Sequence, residues 1–411
     1  MPIELPIHIP LPPAVHLLRK LFSRHGHGLW LVGGKVRDAL MGEPSSKDCD
    51  LATEAHPEQI QVLLNEANVR NFPKGESFGV WVAHMDGEDY EIATFREDGE
   101  YLDGRRPSTV FFSTAEADYK RRDLTINGLF YSVPVVDKAE GRVVDFGNGY
   151  GFADVMQRRI RMIGKPADRL NEDKLRVLRL VRFYCRFHDN DDFAGHVGEE
   201  TMAAVQAFRD LRFWGISSER IREEFLASVR QAKSMRCLLN VYQALDLLPV
   251  LFPSMPLSPN GMRFVQDTDV RDPAVILACL FGDCVTFRKD LRKRLNSLTW
   301  PNGITDDVDF LSQMLGVTQR KEMVRLCPGR TPERQKQMGV MNGFRPERHL
   351  WQFLTDYEPP RYDGNVLVAQ GLTGPEVGAR IMALQLEDME RAYAVAGGSF
   401  PAERLESAVC G

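Results

Sequence analysis

With 411 residues the chain is too long for one ordinary core, so roughly two to four domains or a long multi-part helical body are expected. Apolar residues make up 43% and charged residues 27%, globular values without a disorder signature; a formal net charge of −5 excludes a wholesale polybasic nucleic-acid binder, although a basic patch can sit on an acidic protein. Seven scattered cysteines with no CxxC give neither a zinc site nor a disulfide framework and point to a reduced, cytoplasmic compartment.

The prolines among the first thirteen residues keep that segment extended, and its composition predicts no signal peptide. A helix is predicted from about Ala14 to His25, then an apolar strand (Leu29, Trp30, Leu31, Val32) ending in Gly33-Gly34. A helix from Lys35 to Met41 and a turn at Gly42–Ser46 follow, then a short strand bearing Asp48 and Asp50. Proline at its first turn opens a helix from Pro57 to about Ala67. Two strand-like runs, Phe78 to Met85 and Tyr90 to Phe95, form a hairpin around Asp86-Gly87-Glu88-Asp89. The polar stretch REDGEYLDGRRP (Arg96 to Pro107) reads as a mobile loop. From about Asp118 helical patterns dominate, apart from strand-like runs at Val143-Val144 and Ile160 to Ile163. No apolar run approaches the roughly 20 residues of a membrane helix.

The chemistry concentrates around Gly33 to Asp50. Side chains on a strand alternate faces, so Asp48 and Asp50 point the same way and repel unless a cation neutralises them. Hard cations such as Mg²⁺ bind carboxylate and phosphate oxygens together. The Gly33-Gly34 pair lets backbone N–H groups approach a phosphate at the positive end of a helix. Either motif alone also reads as a turn or a solvated face; together, in this order, they point to metal-assisted nucleotidyl transfer. Glu91 on the second hairpin strand is a candidate third carboxylate.

Two further stretches carry charge in a pattern. Asp118 to Asn127 places three cations beside two acids at a helix start; an arginine fork suits a phosphate, but the stretch also reads as a charged helix start capped by aspartate. In NEDKLRVLRLVRF, Asp173, Arg176, Arg179 and Arg182 recur every third residue, a slanting stripe on a helix. A carboxylate and a guanidinium on adjacent turns can read a base edge. The carboxylate accepts from the amino group of cytosine or adenine and meets a carbonyl in uracil or guanine, so such a site takes CTP and ATP and rejects UTP and GTP. Read from charge alone, the same stripe is also a helix of ordinary ion pairs. His188-Asp189 lacks the further ligands that an HD-type phosphohydrolase needs, and Asp189 to Asp192 reads as a turn.

These residues resemble a known family, the class II tRNA nucleotidyltransferases (CCA-adding enzymes) and the related bacterial poly(A) polymerases. LVGGKVRDALMG followed by DCDLAT resembles motif A, which implies nucleotide contacts at Gly33, Gly34 and Arg37 and metal ligands at Asp48 and Asp50. RRDLTINGLFY is similar to motif B, with Arg122 near the triphosphate, and DFGNGYGFAD (Asp145 to Asp154) to a motif C that is longer than the usual form. EDKLR (Glu172, Asp173, Arg176) resembles motif D, the amino-acid template for CTP and ATP, continued by Arg179 and Arg182. ISSERIREEF (Ile216 to Phe225) is similar to the motif E helix. REDGEYLDGRRP resembles the flexible loop needed for A addition, with Arg96, Asp98, Tyr101, Asp103 and Arg105 as its candidate residues. KGESFGVWVAHMDG lacks the basic segment of poly(A) polymerases, and DGNVLVAQGLTGPEVGARI resembles the tail-domain segment.

The fold implied is α+β: a nucleotidyltransferase (DNA polymerase β-like) α/β head, residues 1–150, then an all-helical neck (151–235), body (236–330) and tail (331–411). The activity implied is template-independent addition of C, C and A to the tRNA 3′ end from CTP and ATP, with Mg²⁺ as cofactor. No membrane association and no accessory HD-domain phosphohydrolase are expected. Arg288, Lys289, Arg292, Lys293 and Arg294 are candidates for tRNA contact or an ordinary solvated face. Alternatives are a poly(A) polymerase, a CC- or A-adding enzyme, or a non-catalytic RNA-binding relative.

Overall fold

The computed structural model describes residues 2–44, 48–74, 79–99, 109–136, 139–207, 216–282, 285–316, 326, 331–341 and 348–398. Its amino-terminal part runs β1 (Ile3–Ile7), α1 (Pro13–Arg24), β2 (Trp30–Val32), α2 (Gly34–Met41), β3 (Asp50–Thr53), α3 (Pro57–Glu66), β4 (Arg70–Pro73), β5 (Val80–Met85) and β6 (Glu88–Thr94). There follow β7 (Arg96–Asp98), β8 (Val110–Phe112), α4 (Ala115–Lys120), a 3₁₀ turn (Thr125–Asn127), β9 (Leu129–Ser132) and β10 (Gly141–Asp145). Eight strands form one sheet in the order β1-β10-β9-β2-β3-β6-β5-β4, and β7 pairs with β8 separately.

Neighbours in the large sheet are antiparallel except β3 and β6. A parallel pair needs a long crossover, and here α3, β4 and β5 supply it. Local signals set the helix starts. The side chain of Gln59 accepts from the His56 backbone N–H in a capping box before α3, and Thr114 accepts from the N–H of Ala117 before α4. Along β6, Tyr90, Ile92 and Thr94 are buried, whereas Glu91 is only half-buried on the opposite face.

Three segments depart from the sequence expectation. Ile3–Ile7 is an antiparallel strand on β10, not merely extended. Arg96–Asp98, expected within a loop, pairs with Val110–Phe112 as a short ribbon. The helix expected from Asp118 is shorter: α4 ends at Lys120, the Asp123 carboxylate accepts from the Leu124 N–H at 2.8 Å, and Leu129–Ser132 becomes a strand. Leu129, Phe130 and Tyr131 are all buried, so that strand carries no apolar–polar alternation to reveal it.

Beyond the sheet come α5 (Tyr150–Gln157), α6 (Pro166–Glu172), α7 (Arg176–Phe187), α8 (Phe193–His196), α9 (Glu199–Ala207) and α10 (Ser218–Gln231). The chain divides into two compact units, residues 1–224 and 225–411, with the division inside α10. The second unit is helical among its described residues: α11 (Met235–Ala244), α12 (Leu248–Leu251), α13 (Pro259–Thr268), α14 (Pro273–Phe281), α15 (Val285–Ser297) and α16 (Asn302–Gly316), then helices at Pro332–Met341, Arg348–Asp356, Gly364–Ala369 and Gly374–Val395. Every residue of α14 from Ala274 to Phe281 is buried, which marks it as the helix its neighbours enclose. Among the described residues no helix is long and apolar enough to cross a membrane.

Candidate active site

The carboxylates gather where β3 begins. Asp50 is the first residue of β3 and its register partner on parallel β6 is Glu91. Adjacent strands lie about 4.8 Å apart, so the two side chains are neighbours. Asp48 precedes the strand, but exposure still alternates: Asp48 exposed, Cys49 buried, Asp50 exposed. Although Asp50 is exposed as a residue, the protein packed around its carboxyl desolvates it, and this together with its neighbours Glu91 and Asp48 pushes its pKa upward, against the opposing pull of Arg122 and Lys74. Cys49 packs behind them, its thiol pushed up by burial while the Lys35 ammonium opposes the shift.

Gly33 has φ 75°, a conformation that costs a side-chain-bearing residue dearly, and it turns the chain from β2 into α2. A Cβ built on Gly33 would stand 3.5 Å from Asp50 Oδ2, so the turn closely flanks the carboxylates. Lys74, at the end of β4, ion-pairs with Glu91. The sequence reading passed over Lys74, because nothing local to an edge strand says which carboxylate it will face. Among the described residues no three His, Cys, Asp or Glu side chains form a ready-made metal cage. The donor set fits a hard divalent ion nonetheless. Desolvation and then the nearby Glu91 and Asp48 carboxylates raise the proton affinity of Asp50, whose charge a cation would neutralise, and phosphate and water oxygens can complete the shell of Mg²⁺.

Arg122 is aimed by Asp118. Arg122 Nε and Nη2 donate to Asp118 Oδ2 at 3.0 and 2.9 Å, and Arg121 forks onto Oδ1 at 2.9 and 2.6 Å. The Arg122 guanidinium also lies 4.7 Å over the Phe130 ring. Burial would raise the pKa of Asp118, which is 1% exposed, but Arg122 and Arg121 outweigh it and hold the carboxyl low. Asp118 Oδ1 further accepts from the Arg96 N–H at 3.3 Å, tying this cluster to the start of β7. In β7, Arg96 Nε donates to Asp98 Oδ1 at 3.0 Å. Tyr101, Asp103 and Arg105 lie outside the described residues.

Arg37, expected to contact nucleotide, faces inward. It is 2% exposed, forks onto Asp38 Oδ1 at 2.9 and 2.7 Å, donates to Asn127 Oδ1 at 2.5 Å, and lies over the Phe183 and Phe187 rings. Asp38 Oδ2 accepts from Arg186 of α7 at 2.9 Å, so this network joins α2 to α7. In the stretch similar to motif C, Asp145 is buried and accepts the N–H groups of Gly147 and Phe152 at 2.7 and 3.1 Å, a structural clamp on the turn before α5.

The expected stripe of Asp173, Arg176, Arg179 and Arg182 is not one helical face. Asp173 sits in extended backbone (φ −150°, ψ 103°) at the end of α6, and α7 begins at Arg176. Each charge is paired, three of them with a residue far away in sequence and Arg176 with its local neighbour Glu172. Asp173 pairs with Arg220 at 2.6 Å, Arg176 with Glu172 at 2.6 Å, Arg179 with Asp123 at 2.6 Å and Arg182 with Glu224 at 2.5 Å. Arg176 also donates to the backbone carbonyls of Arg169 and Arg121. Arg220 and Glu224 belong to α10 and had no assigned role; their spacing of four residues, one helical turn, was the signal available. In α15, Arg292 ion-pairs with Asp306, and the Arg288 and Lys289 side chains lie outside the description.

The mixed sheet with a mostly helical remainder is the fold of a nucleotidyltransferase head and its helical extension, as the matches to known proteins show. Residues 29–161 match the family described as the Poly A polymerase head domain. The chain is 42% identical over 175 residues to a CCA-adding enzyme of Bacillus licheniformis, covering 41% of this chain and 40% of that protein. It is 31% identical over 338 residues to the Mus musculus protein named CCA tRNA nucleotidyltransferase 1, mitochondrial, covering 80% of this chain and 71% of that one. A solved CCA-adding enzyme in an apo form superposes with a TM-score of 0.70 at 18% identity over 92% of both chains, a likeness of fold. The match spans 40% of the length of the first two curated relatives, both from Bacillus species. The chain belongs to the tRNA nucleotidyltransferase (CCA-adding enzyme) family.

Proposed function

We propose that the chain adds C, C and A to the 3′ end of tRNA, without a nucleic-acid template, from CTP and ATP. The observation that carries the reading is the register of Asp50 with Glu91 beside the Gly33 turn, in a chain whose relatives are named for this activity. Asp48 and Asp50 would hold Mg²⁺, which when bound acidifies the RNA 3′-hydroxyl and neutralises the departing pyrophosphate. The amino end of α2 and the backbone at Gly33-Gly34 receive phosphate oxygens. Arg122, held in place by Asp118, offers its guanidinium to the triphosphate. The 3′-oxygen bonds to the α-phosphorus, the bond to pyrophosphate breaks, and the hydroxyl proton leaves to water. No covalent enzyme intermediate is required.

Asp173 and Arg176 read the base. The Asp173 carboxylate accepts from the amino group of cytosine or adenine, and Arg176 donates to the neighbouring ring acceptor. Arg179 and Arg182, each already paired with a carboxylate, support that surface. Arg37 acts from behind by fixing α2 against α7. In this reading the head is residues 1–150, the neck 151–235, the body 236–330 and the tail 331–411.

A second reading is favoured by the description of the matched family, a poly(A) polymerase head. The deciding assay supplies CTP and ATP to a tRNA transcript lacking its CCA end and measures product length by gel. Growth by three nucleotides, C, C and A, supports CCA addition. A long A tract would establish the second reading, a stop after one or two nucleotides would indicate a partial enzyme, and no incorporation would refute both.

A further inference from the structure

Helix α10 presents Arg220 and Glu224 one turn apart, and the two grip opposite ends of the candidate base-reading segment, Asp173 and Arg182. The grip on Asp173 has a definite geometry. Among the described residues, Asp173 Oδ1 accepts the Leu175 N–H at 3.1 Å and Arg220 Nη1 at 3.4 Å, while Oδ2 accepts Arg220 Nη2 at 2.6 Å. A carboxylate offers about four acceptor sites, two on each oxygen. Both sites on Oδ1 are used and one on Oδ2, which leaves a single acceptor on Oδ2, with its direction set by the guanidinium fork.

We propose that Arg220 is a positioning residue for nucleotide choice: its fork locks the Asp173 carboxylate so that one Oδ2 acceptor faces the exocyclic amino group of cytosine or adenine. The inference rests on the reading of Asp173 as the base acceptor. Asp173 lies in extended backbone at a break between α6 and α7, where no helical turn restrains its side chain. The terminal torsion of an aspartate is broad and roughly two-fold, so without Arg220 the carboxylate is held by the Leu175 N–H on Oδ1 alone and Oδ2 loses its fixed direction. A swinging acceptor still binds, but it separates an amino group from a carbonyl less sharply. Arg220 thus makes no contact with the nucleotide and acts through Asp173 alone.

The test measures kcat/KM for CTP, ATP, UTP and GTP on tRNA lacking its CCA end, for the full chain and for Arg220→Ala, Arg220→Lys, Asp173→Ala and the Arg220→Ala/Asp173→Ala pair. Arg220→Ala should lower the preference for CTP over UTP by about tenfold, the weight of one hydrogen bond to a charged group. Arg220→Lys, which keeps the charge but not the fork, should recover part of that preference. The double variant should discriminate no worse than Asp173→Ala, because Arg220 has nothing left to aim. An equal loss for all four nucleotides, or additive losses in the double variant, would show a merely structural contact and overturn the proposal. If Asp173→Ala alone leaves nucleotide choice unchanged, the base-acceptor reading falls and takes this inference with it. If it changes choice and the folded Arg220 variants do not, only the inference falls. Should Arg220→Ala fail to fold by circular dichroism, Arg220→Lys decides: reduced preference supports the proposal and an unchanged one overturns it.

Discussion

Replacing Asp123 by Asn should destabilise the first unit by about 2 kcal/mol at neutral pH. Burial alone would raise the pKa of the Asp123 carboxyl, but Arg179, 2.6 Å away, and the Leu124 N–H outweigh it and bring it to about 2 from an ordinary 3.8. That gap is worth about 2.5 kcal/mol of folding free energy. The Arg179 side chain is 35% exposed, so water screens the pair and the figure is an upper bound. Because the folded-state pKa lies below the unfolded one, the stabilisation is complete above about pH 5 and is lost as pH falls toward 2; at pH 3 about half remains. Urea unfolding of the parent and of Asp123→Asn at pH 7.5 and pH 3 measures both quantities, and the gap between the two proteins should narrow at the lower pH. In melting temperature at neutral pH the expected loss is about 4–8 °C. A cycle with Arg179→Gln isolates the pair. A coupling below about 0.5 kcal/mol, or a gap that does not narrow in acid, would refute this account of Asp123.

Three other outcomes are expected. Asp50→Ala should lower nucleotide incorporation on the order of a thousandfold or more while leaving tRNA binding, read by filter retention, largely unchanged; retained activity with Mg²⁺ supplied would remove Asp50 from the metal site. Gly261→Ala should destabilise the second unit by about 1–3 kcal/mol in thermal melts, because its Cβ would stand 1.8 Å from the Cys279 carbonyl oxygen and force α13 from α14. Asp118→Asn should raise the KM for CTP and ATP several-fold, since the fork on Arg122 loses its charged partner; an unchanged KM would mean that Arg122 needs no such aiming.

Much of the site was legible because it is local. The Gly33 turn, the alternation of Asp48, Cys49 and Asp50, and the proline that opens α3 depend on residues within a turn of one another, and local sterics and hydrogen bonds decide them. Strand β9 was not legible, because a run buried on every side carries no period. Charge was legible only as charge. Arg37 and Arg122 look alike in sequence, yet one is buried over Phe183 and Phe187 and the other lies over Phe130, where its charge acts on Asp50.

The sequence by itself determined which residue types were available: hard carboxylates two apart, a glycine turn before a helix, and arginines in threes around an aspartate. Tertiary structure decided their partners. Register across a parallel pair of strands set Glu91 beside Asp50, and an edge strand brought Lys74 to Glu91. The break between α6 and α7 removed Asp173 from the arginine stripe and gave it to Arg220 of α10. The physical reason is that a hydrogen bond or backbone turn is chosen by its near neighbours, whereas a half-buried charge must find a counter-charge wherever the fold brings one.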